Sequence, residues 1–231
     1  HEPAPSRGRN RNPDGAQAMK RLTLPSLALL AGASLGAQAL EVMITPELGS
    51  VETIHNGQKV TIQRNQDPEH RVDEYFTYTS RKCPDFCIQP MQAAPGVETV
   101  GELEMLDYLA RIGDGDQGVM VVDSRKSQWP RRGMIPGAVN VPWTEMDPDT
   151  ADPKNVGGIL MNVFGARHRD GAWDFGPAKT LVLYCNGPWC AQSNNMVIAL
   201  LRYGYPADKI KWYRAGMQGW SNVGLTTVTA D

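Results

Sequence analysis

The sequence predicts an α/β fold: a parallel sheet flanked by helices, with a small N-terminal extension that contains a hairpin and a loop. Short apolar segments such as residues 181–184 have the length and composition of buried strands. They alternate with segments that have apolar residues at helical spacing, such as residues 193–203. Strands that alternate with helices are typical of parallel sheets.

The chain of 231 residues fits one domain with an extension, or two small domains. We expect four segments. Residues 1–18, rich in Pro, Gly and Arg, are expected to be a disordered leader or foreign upstream sequence. Residues 19–39 are expected to be a signal peptide, residues 40–96 an extension with a hairpin and a Cys-x3-Cys loop, and residues 97–231 the α/β domain.

The signal peptide is predicted from three features in the expected order. Lys20 and Arg21 supply the charged start, residues 22–35 the short apolar core, and Ala37-Gln-Ala39 the cleavage site. The core is short and interrupted for a bilayer span, which needs about 20 apolar residues. Removal of the segment predicts a periplasmic or secreted protein without an integral membrane segment; an uncleaved anchor is the alternative.

The remaining elements follow in order along the chain. Asn56-Gly57 between two β-rich segments is a strong hairpin signal. Thr99-Val-Gly-Glu102 has the pattern of a capping box that opens a helix to Ile112. Further along, we predict strands at 119–122, 138–141, 181–184 and 211–213, a loop at 143–153, and helices at 156–167, 193–203 and 217–221.

Two polar residues come directly after predicted strands, where open parallel sheets bind ligands. Asp123 ends one strand, and Cys185 follows another and precedes a short loop into a helix. The unpaired amides of a helix N-terminus favour negative charge, so we expect the Cys185 thiolate to form readily. The alternative from the motif alone is an inert, buried cysteine.

Four motifs, in order and spacing, resemble the rhodanese family over about residues 97–229. They are the strand ending in Asp123-x-Arg125, the segment Gly133-Met-Ile-Pro-Gly-Ala-Val-Asn-Val-Pro142, the strand ending at Cys185, and Gly216-Met-Gln-Gly-Trp220 followed by Gly224-Leu. The resemblance implies a rhodanese-like sheet and a Cys185 nucleophile that carries sulfur as a persulfide. It assigns substrate binding to the loop residues Asn186, Gly187, Pro188, Trp189 and Ala191.

The active-site loop departs from the family pattern at its sixth position, where Cys190 replaces the usual arginine. No residue from 186 to 193 is charged, so activity towards thiosulfate is doubtful unless Arg125, Arg132 or Arg214 reaches the loop. Arg125 and Arg214 are therefore candidate substrate-binding cations. The alternatives are a structural pair of Asp123 and Arg125 beside the site and a solvent-exposed Arg214. Phosphatases of this fold need a longer loop ending in arginine, so a phosphatase is excluded.

The four cysteines form two close pairs, which suits an oxidising compartment but does not decide their connectivity. Cys190 is either a resolving thiol for Cys185 or a small filler or static disulfide partner. Cys83 and Cys87 are expected to form a local disulfide, with metal binding as the minor alternative. We predict no cofactor and no metal.

The expected partners are a small sulfur donor and a thiol acceptor, which includes a protein thiol. The formal net charge of −2 gives no reason to expect a nucleic-acid partner. Sulfur transfer through a Cys185 persulfide is the leading function. The alternatives are a non-catalytic binding module and a thiol–disulfide redox protein that uses Cys185 and Cys190.

Overall fold

The protein is described by a computed structural model of residues 41–83 and 86–230, and the expectations for residues 1–39 lie outside these ranges. The described residues form nine strands: β1 (Ser50–His55), β2 (Gln58–Gln63), β3 (Glu98–Val100), β4 (Val119–Asp123), β5 (Ala138–Asn140), β6 (Arg167–Arg169), β7 (Ala172–Asp174), β8 (Thr180–Tyr184) and β9 (Ile210–Tyr213). They also form four α-helices: α1 (Glu102–Gly113), α2 (Pro153–Gly158), α3 (Gln192–Arg202) and α4 (Gly216–Asn222).

Five strands make a parallel sheet in the order β3-β9-β8-β4-β5, which confirms the predicted fold class. In the central strand β8, Tyr184 lies opposite Asp123 of β4 and Tyr213 of β9. The carboxyl ends of these three strands are therefore level. Cys185, which follows Tyr184, lies at the middle of this edge of the sheet.

The sheet is buried on both faces, as expected for a parallel sheet with helices on either side. Leu181 and Leu183 of β8 point into an apolar cluster with α3, and Val182 and Tyr184 point into a second cluster with α1 and α4. Successive side chains of a strand point to opposite faces. The uninterrupted apolar run 181–184 thus follows from burial on both sides.

The N-terminal hairpin belongs to the same core as the α/β domain. Its turn places Asn56 at φ 49° and Gly57 at φ 76°, the left-handed conformation that an Asn-Gly hairpin turn requires. Val51 and Ile62 are buried in the cluster that contains Leu109 of α1. The hairpin was predicted from sequence, whereas its attachment to α1 was not.

Two predicted elements were wrong. Thr99 lies in β3, and the cap of α1 is instead made by Glu104, whose side chain accepts a hydrogen bond from the amide of Gly101 at 2.9 Å. The helix predicted at 156–167 ends as α2 at Gly158, continues as a π-helical turn at Ile159–Val163, and gives way to the β6–β7 hairpin. No helix within the described ranges is long and apolar enough to cross a membrane.

Candidate active site

The loop that links β8 to α3 carries both free cysteines of the described chain. Cys185 begins the loop directly after β8, and Cys190 lies two residues before α3. The amide of Cys190 donates to the carbonyl of Gly187 at 3.0 Å, which closes a tight turn. Both thiols are reduced and each residue is only 2% exposed. The two sulfur atoms are thus held in one buried site.

The Cys185 thiol lies against the first turn of α3. Its Sγ is 3.1 Å from Oγ of Ser193, and the Ser193 hydroxyl is itself held by Nε1 of Trp212 at 3.0 Å. Burial, reinforced by Cys190, nevertheless raises the pKa of Cys185 well above its usual value. The expectation that this thiolate forms readily is therefore wrong for this state, because loss of water outweighs the helix amides.

The Cys190 thiol is the more acidic of the two. A hydrogen bond from the Cys185 thiol is the main cause that lowers the pKa of Cys190 to about 7, and the backbone amides of Asn186 and Gln192 add to it. The side-chain amide of Gln192 also donates to the Cys190 sulfur at 3.6 Å. Of the two thiols, Cys190 therefore forms its thiolate more readily than Cys185.

Helix α4 fixes which way the loop's peptide groups face. The amides of Met217 and Gln218 donate to the carbonyls of Cys185 and Asn186 at 3.0 and 2.9 Å. With both carbonyls turned towards α4, the amide of Asn186 is free to point at the Cys190 sulfur. Gly216, at φ 57°, allows this contact because its backbone packs directly on the loop.

Asp123 and Arg125 form a buried support beneath the loop. Nε of Arg125 donates to Oδ1 of Asp123 at 2.8 Å, and a terminal nitrogen donates to Oδ2 at 2.6 Å. The other terminal nitrogen donates to Oδ1 of Asn186 at 3.2 Å, and Tyr184 donates its hydroxyl to Asp123 at 3.0 Å. Arg125 is only 1% exposed. It supports the loop from below, in the arrangement expected of a structural Asp123–Arg125 pair.

Arg214 also has a structural use in this state. Its guanidinium donates to the carbonyl oxygens of Gln89 and Pro90 at 2.8 and 3.0 Å. The amide of Gln89 in turn donates to the carbonyl of Pro188 in the active-site loop at 2.8 Å. The N-terminal extension is thereby fastened to both the loop and the end of β9, and Arg214 does not reach the thiols.

Three side chains of the extension, Tyr75, Arg81 and Phe86, cover the outer side of the loop, and we call them the aromatic cover. The Arg81 guanidinium lies 4.2 Å from the centre of the Tyr75 ring and 4.1 Å from that of Trp189. The Phe86 and Trp189 rings are 5.3 Å apart, between centres. Trp189 is therefore part of a cation–π stack and packs against the extension.

The expected disulfide between Cys83 and Cys87 is confirmed, with Cα atoms 4.8 Å apart. It closes the short segment that contributes Phe86 to the aromatic cover. Within the described ranges, no cluster of three or more His, Cys, Asp or Glu residues is arranged to hold a metal ion.

The sheet order, the thiol-bearing loop after the central strand and the packed α4 segment agree with a match to a known family. Residues 105–223, just over half of the 231 residues, match the family described as rhodanese-like domain. The chain belongs to the rhodanese-like domain family. The resemblance predicted from the four sequence motifs is confirmed.

Solved structures similar to this rhodanese-like chain share low identity with it. A human single-domain sulfurtransferase is 19% identical, with 55% of this chain and 96% of that one covered and a TM-score of 0.38. An Escherichia coli rhodanese with anions is 16% identical, with 48% and 99% covered and a TM-score of 0.32. An uncharacterised Saccharomyces cerevisiae protein is 21% identical, with 55% and 93% covered and a TM-score of 0.39. No curated protein sequence matches the chain.

A cavity of about 270 Å³ opens beside the Cys190 end of this rhodanese-like loop. Its walls combine aromatic rings, side-chain amides and one lysine, and the lining residues are Phe86, Lys126, Gln128, Trp129, Trp143, Cys190, Ala191, Gln192 and Asn195. A larger cavity of about 530 Å³ lies between residues 63–76 of the extension and the end of the chain, near Thr226. Cys185 lines neither cavity.

Of the loop residues predicted to bind substrate, the structure places only Ala191 in the wall of the Cys190 cavity. Asn186 and Gly187 shape the loop, and Pro188 and Trp189 contact the extension. Two residues that contact the sulfur atoms, Gln192 and Ser193, were not among the site residues predicted from the sequence. Their positions at the start of the predicted helix, next to both cysteines, were the available signal.

Proposed function

We propose that this rhodanese-like protein transfers sulfane sulfur through a cysteine persulfide in the active-site loop, with Cys185 as the persulfide carrier. The single observation that carries the proposal is the pair of buried, reduced thiols in one loop at the carboxyl edge of the sheet. One thiolate is available near neutral pH as a sulfur nucleophile.

The chemistry needs no cofactor. A loop thiolate attacks the outer sulfur of a donor R–S–SH, the donor's S–S bond breaks, and R–S⁻ leaves. The product is a cysteine persulfide in the loop. An acceptor thiolate then attacks the outer sulfur of that persulfide and regenerates the loop thiolate.

The loop suits a persulfide at Cys185 because it surrounds that sulfur with donors. The Ser193 hydroxyl lies 3.1 Å from Sγ, and the Ser193 amide also points to it. Cys190 lies on the other side, and in its thiolate form it can take up the Cys185 proton. Proton transfer from Cys185 to Cys190 therefore creates a Cys185 thiolate without solvent.

Thiosulfate is a poor candidate donor. Arg125 is held by Asp123 and Arg214 by the extension, while Arg132 is exposed and lines the larger cavity and not the one beside Cys190. A dianion is best held by a bidentate guanidinium. We expect a neutral or thiol-derived sulfane donor to react faster than thiosulfate.

Intact mass spectrometry tests the proposal. Wild-type protein treated with polysulfide should gain about 32 Da, one sulfur atom, and lose it on treatment with a thiol. The double variant Cys185→Ser/Cys190→Ser, which keeps the Cys83–Cys87 disulfide, is the matched control and should gain nothing. At equilibrium, peptide mapping of the wild type should place the extra sulfur on Cys185. Absence of an adduct on wild type would refute sulfur transfer.

A thiol–disulfide redox function is the second candidate, favoured by the placement of two buried, reduced thiols in one loop. In this reaction Cys190 attacks a substrate disulfide, and Cys185 then attacks the Cys190 sulfur of the mixed disulfide. The substrate is reduced to two thiols and the loop becomes a disulfide. A loss of two hydrogen masses from the loop peptide, with no sulfur gain, would support this candidate instead.

We further propose that the protein is exported and works in the periplasm or outside the cell. Support comes from the pattern of residues 19–39 and from the disulfide between Cys83 and Cys87, a bond that persists in oxidising compartments. Cell fractionation with N-terminal sequencing tests this. Mature protein outside the cytoplasm that begins at Leu40 is the expected result, and a cytoplasmic protein that retains residues 19–39 would refute it.

A further inference from the structure

We propose that Cys190, and not Cys185, is the thiol that first meets the sulfur donor, and that the donor is a small thiol persulfide bound in the cavity beside it. This inference rests on the proposed sulfur transfer and identifies the thiol that first receives sulfur from the donor. The deciding observation is access: Cys190 lines the 270 Å³ cavity, whereas Cys185 lines neither cavity.

Cys185 is buried and, unlike Cys190, lines neither cavity. Tyr184 and the strand lie before it, and the Ser193 hydroxyl and the Cys190 carbonyl lie within 3.1 and 3.4 Å of its sulfur. The Cys185 carbonyl is bound by the amide of Met217. A donor that approaches from the cavity therefore meets the Cys190 sulfur first.

Cys190 is also the thiol prepared for attack. Its sulfur receives a hydrogen bond from the Gln192 side chain at 3.6 Å, and the neighbouring Cys185 thiol and the amides of Asn186 and Gln192 also lower its pKa. Donors around a thiolate stabilise it and lower its pKa, here to about 7. Nucleophilicity towards sulfur is greatest for thiols with a pKa near the ambient pH.

The cavity's walls indicate the class of donor. Phe86 and Trp129 supply aromatic surface, and Gln192 and Asn195 supply amides. Trp143 also lines the cavity, and its indole N–H is buried without a hydrogen-bond partner among the described residues. A buried donor group without a partner is costly, so a ligand oxygen that accepts from it is stabilised.

Charge and volume narrow the class further. Lys126 is the one charged side chain among the described lining residues, so a single carboxylate is matched and a dianion is not. A volume of about 270 Å³ lies just below the range for drug-sized ligands, about 300–1,000 Å³. The fitting donor is a low-molecular-weight persulfide with one carboxylate, of the size of cysteine persulfide.

The sulfur then moves inside the loop with atoms in balance. The Cys190 thiolate attacks the outer sulfur of R–S–SH, R–S⁻ leaves, and Cys190 becomes a persulfide. Exchange with the neighbouring thiol gives Cys190–SH and Cys185–S–SH, in which one S–S bond breaks and one forms. No oxidant or reductant is consumed in either step.

Loading kinetics with cysteine persulfide distinguish the two thiols. Cys185→Ser should still gain one sulfur on Cys190, at least tenfold faster than Cys190→Ser gains one on Cys185. In wild type, brief exposure followed by alkylation and peptide mapping should place the first sulfur on Cys190, which covers the case in which a serine variant fails to fold. Loading of Cys190→Ser at the wild-type rate would overturn the inference, while no loading of wild type would overturn sulfur transfer itself.

A second variant tests the cavity. Trp143→Phe keeps the ring and removes the unpartnered N–H, and should raise the donor concentration for half-maximal loading several-fold without changing the alkylation rate of Cys190. Trp173→Phe, a partly buried tryptophan outside this cavity, is the matched control. If the two substitutions change the donor concentration for half-maximal loading equally, or if Trp143→Phe does not change it, the cavity is not the donor site.

Discussion

Replacing Gly216 with alanine tests whether α4 sets the chemistry of the loop. The residue adopts φ 57°, and an added Cβ would overlap the carbonyl oxygen of Cys185 and lie 2.8 Å from the amide nitrogen of Gly187. Either neighbour is backbone and cannot move aside as a side-chain tip would. The loop and the start of α4 must therefore separate.

The magnitude follows from what the separation breaks. The left-handed conformation costs alanine about 1 kcal/mol. The hydrogen bonds from the amides of Met217 and Gln218 to the loop carbonyls contribute about 1 kcal/mol each. We expect Gly216→Ala to lower the free energy of unfolding by about 3 kcal/mol. The Asn186 amide should also turn away from the Cys190 sulfur, so the pKa of Cys190 should rise.

Gly57→Ala is the control, because Gly57 has φ 76° in the hairpin turn and its added Cβ would meet nothing within 4 Å. Gly57→Ala should lower the free energy of unfolding by about 1 kcal/mol, the cost of the left-handed conformation alone, and should leave the pKa of Cys190 unchanged. Urea unfolding gives the free energies, and the pH dependence of Cys190 alkylation gives its pKa. If Gly216→Ala matches Gly57→Ala in both measurements, α4 does not orient the loop.

Three further predictions concern the thiols, their support and their cover. Alkylation of Cys190 should be slow in acid and rise with pH around a midpoint of about 7, since only the thiolate reacts. Cys185→Ala should move this midpoint upwards, and an unmoved midpoint would show that Cys185 does not lower the pKa of Cys190. Arg125→Met should lower the free energy of unfolding by about 3–5 kcal/mol because it leaves the Asp123 carboxylate buried and unpaired. Chemical denaturation measures this loss, and a change below about 1 kcal/mol would contradict a stabilising role for the ion pair. Phe86→Ala should accelerate alkylation of Cys190 by a bulky maleimide more than by iodoacetamide, because the aromatic side chain forms one wall of the cavity; equal acceleration would show that this wall does not restrict entry.

Local patterns were enough to predict the strand β8, the hairpin turn and the family. The apolar run before Cys185 and the Asn56-Gly57 pair each act over a few residues, so the sequence carries their signal directly. The helix predicted at 156–167 failed because Gly157 and Gly158 weaken it and because Gly171 allows a β turn between β6 and β7. The Thr99 cap failed because strand pairing with β9 outweighed a local capping pattern.

The position of the candidate site in the fold could be predicted from the sequence, whereas the roles of its individual residues could be predicted only in part. The sequence placed Cys185 at the edge of the sheet, but only the fold shows that the loop buries it and leaves Cys190 beside the cavity. The Asp-x-Arg spacing predicts a structural pair of Asp123 and Arg125, but it does not reveal that the other end of the guanidinium reaches Asn186 in the loop. Contacts between distant segments, such as Gln89 with Pro188, have no local signal in the chain.

In the proposed sulfur transfer, the extension packed over the loop restricts which acceptor molecules can reach the persulfide. Gln89 is bonded to Pro188, Arg214 holds the carbonyls of Gln89 and Pro90, and the Cys83–Cys87 bridge shortens the same segment. The face on which a folded acceptor protein would rest its own cysteine is thus occupied by the protein itself. If the protein transfers sulfur as proposed, small thiols would reach the loop through the cavity, whereas a protein thiol would need these bonds to open together in a local unfolding event. The preference for small thiols over protein thiols would then depend on the stability of the segment around residues 83–90. Mild denaturant should reduce the difference between the two transfer rates.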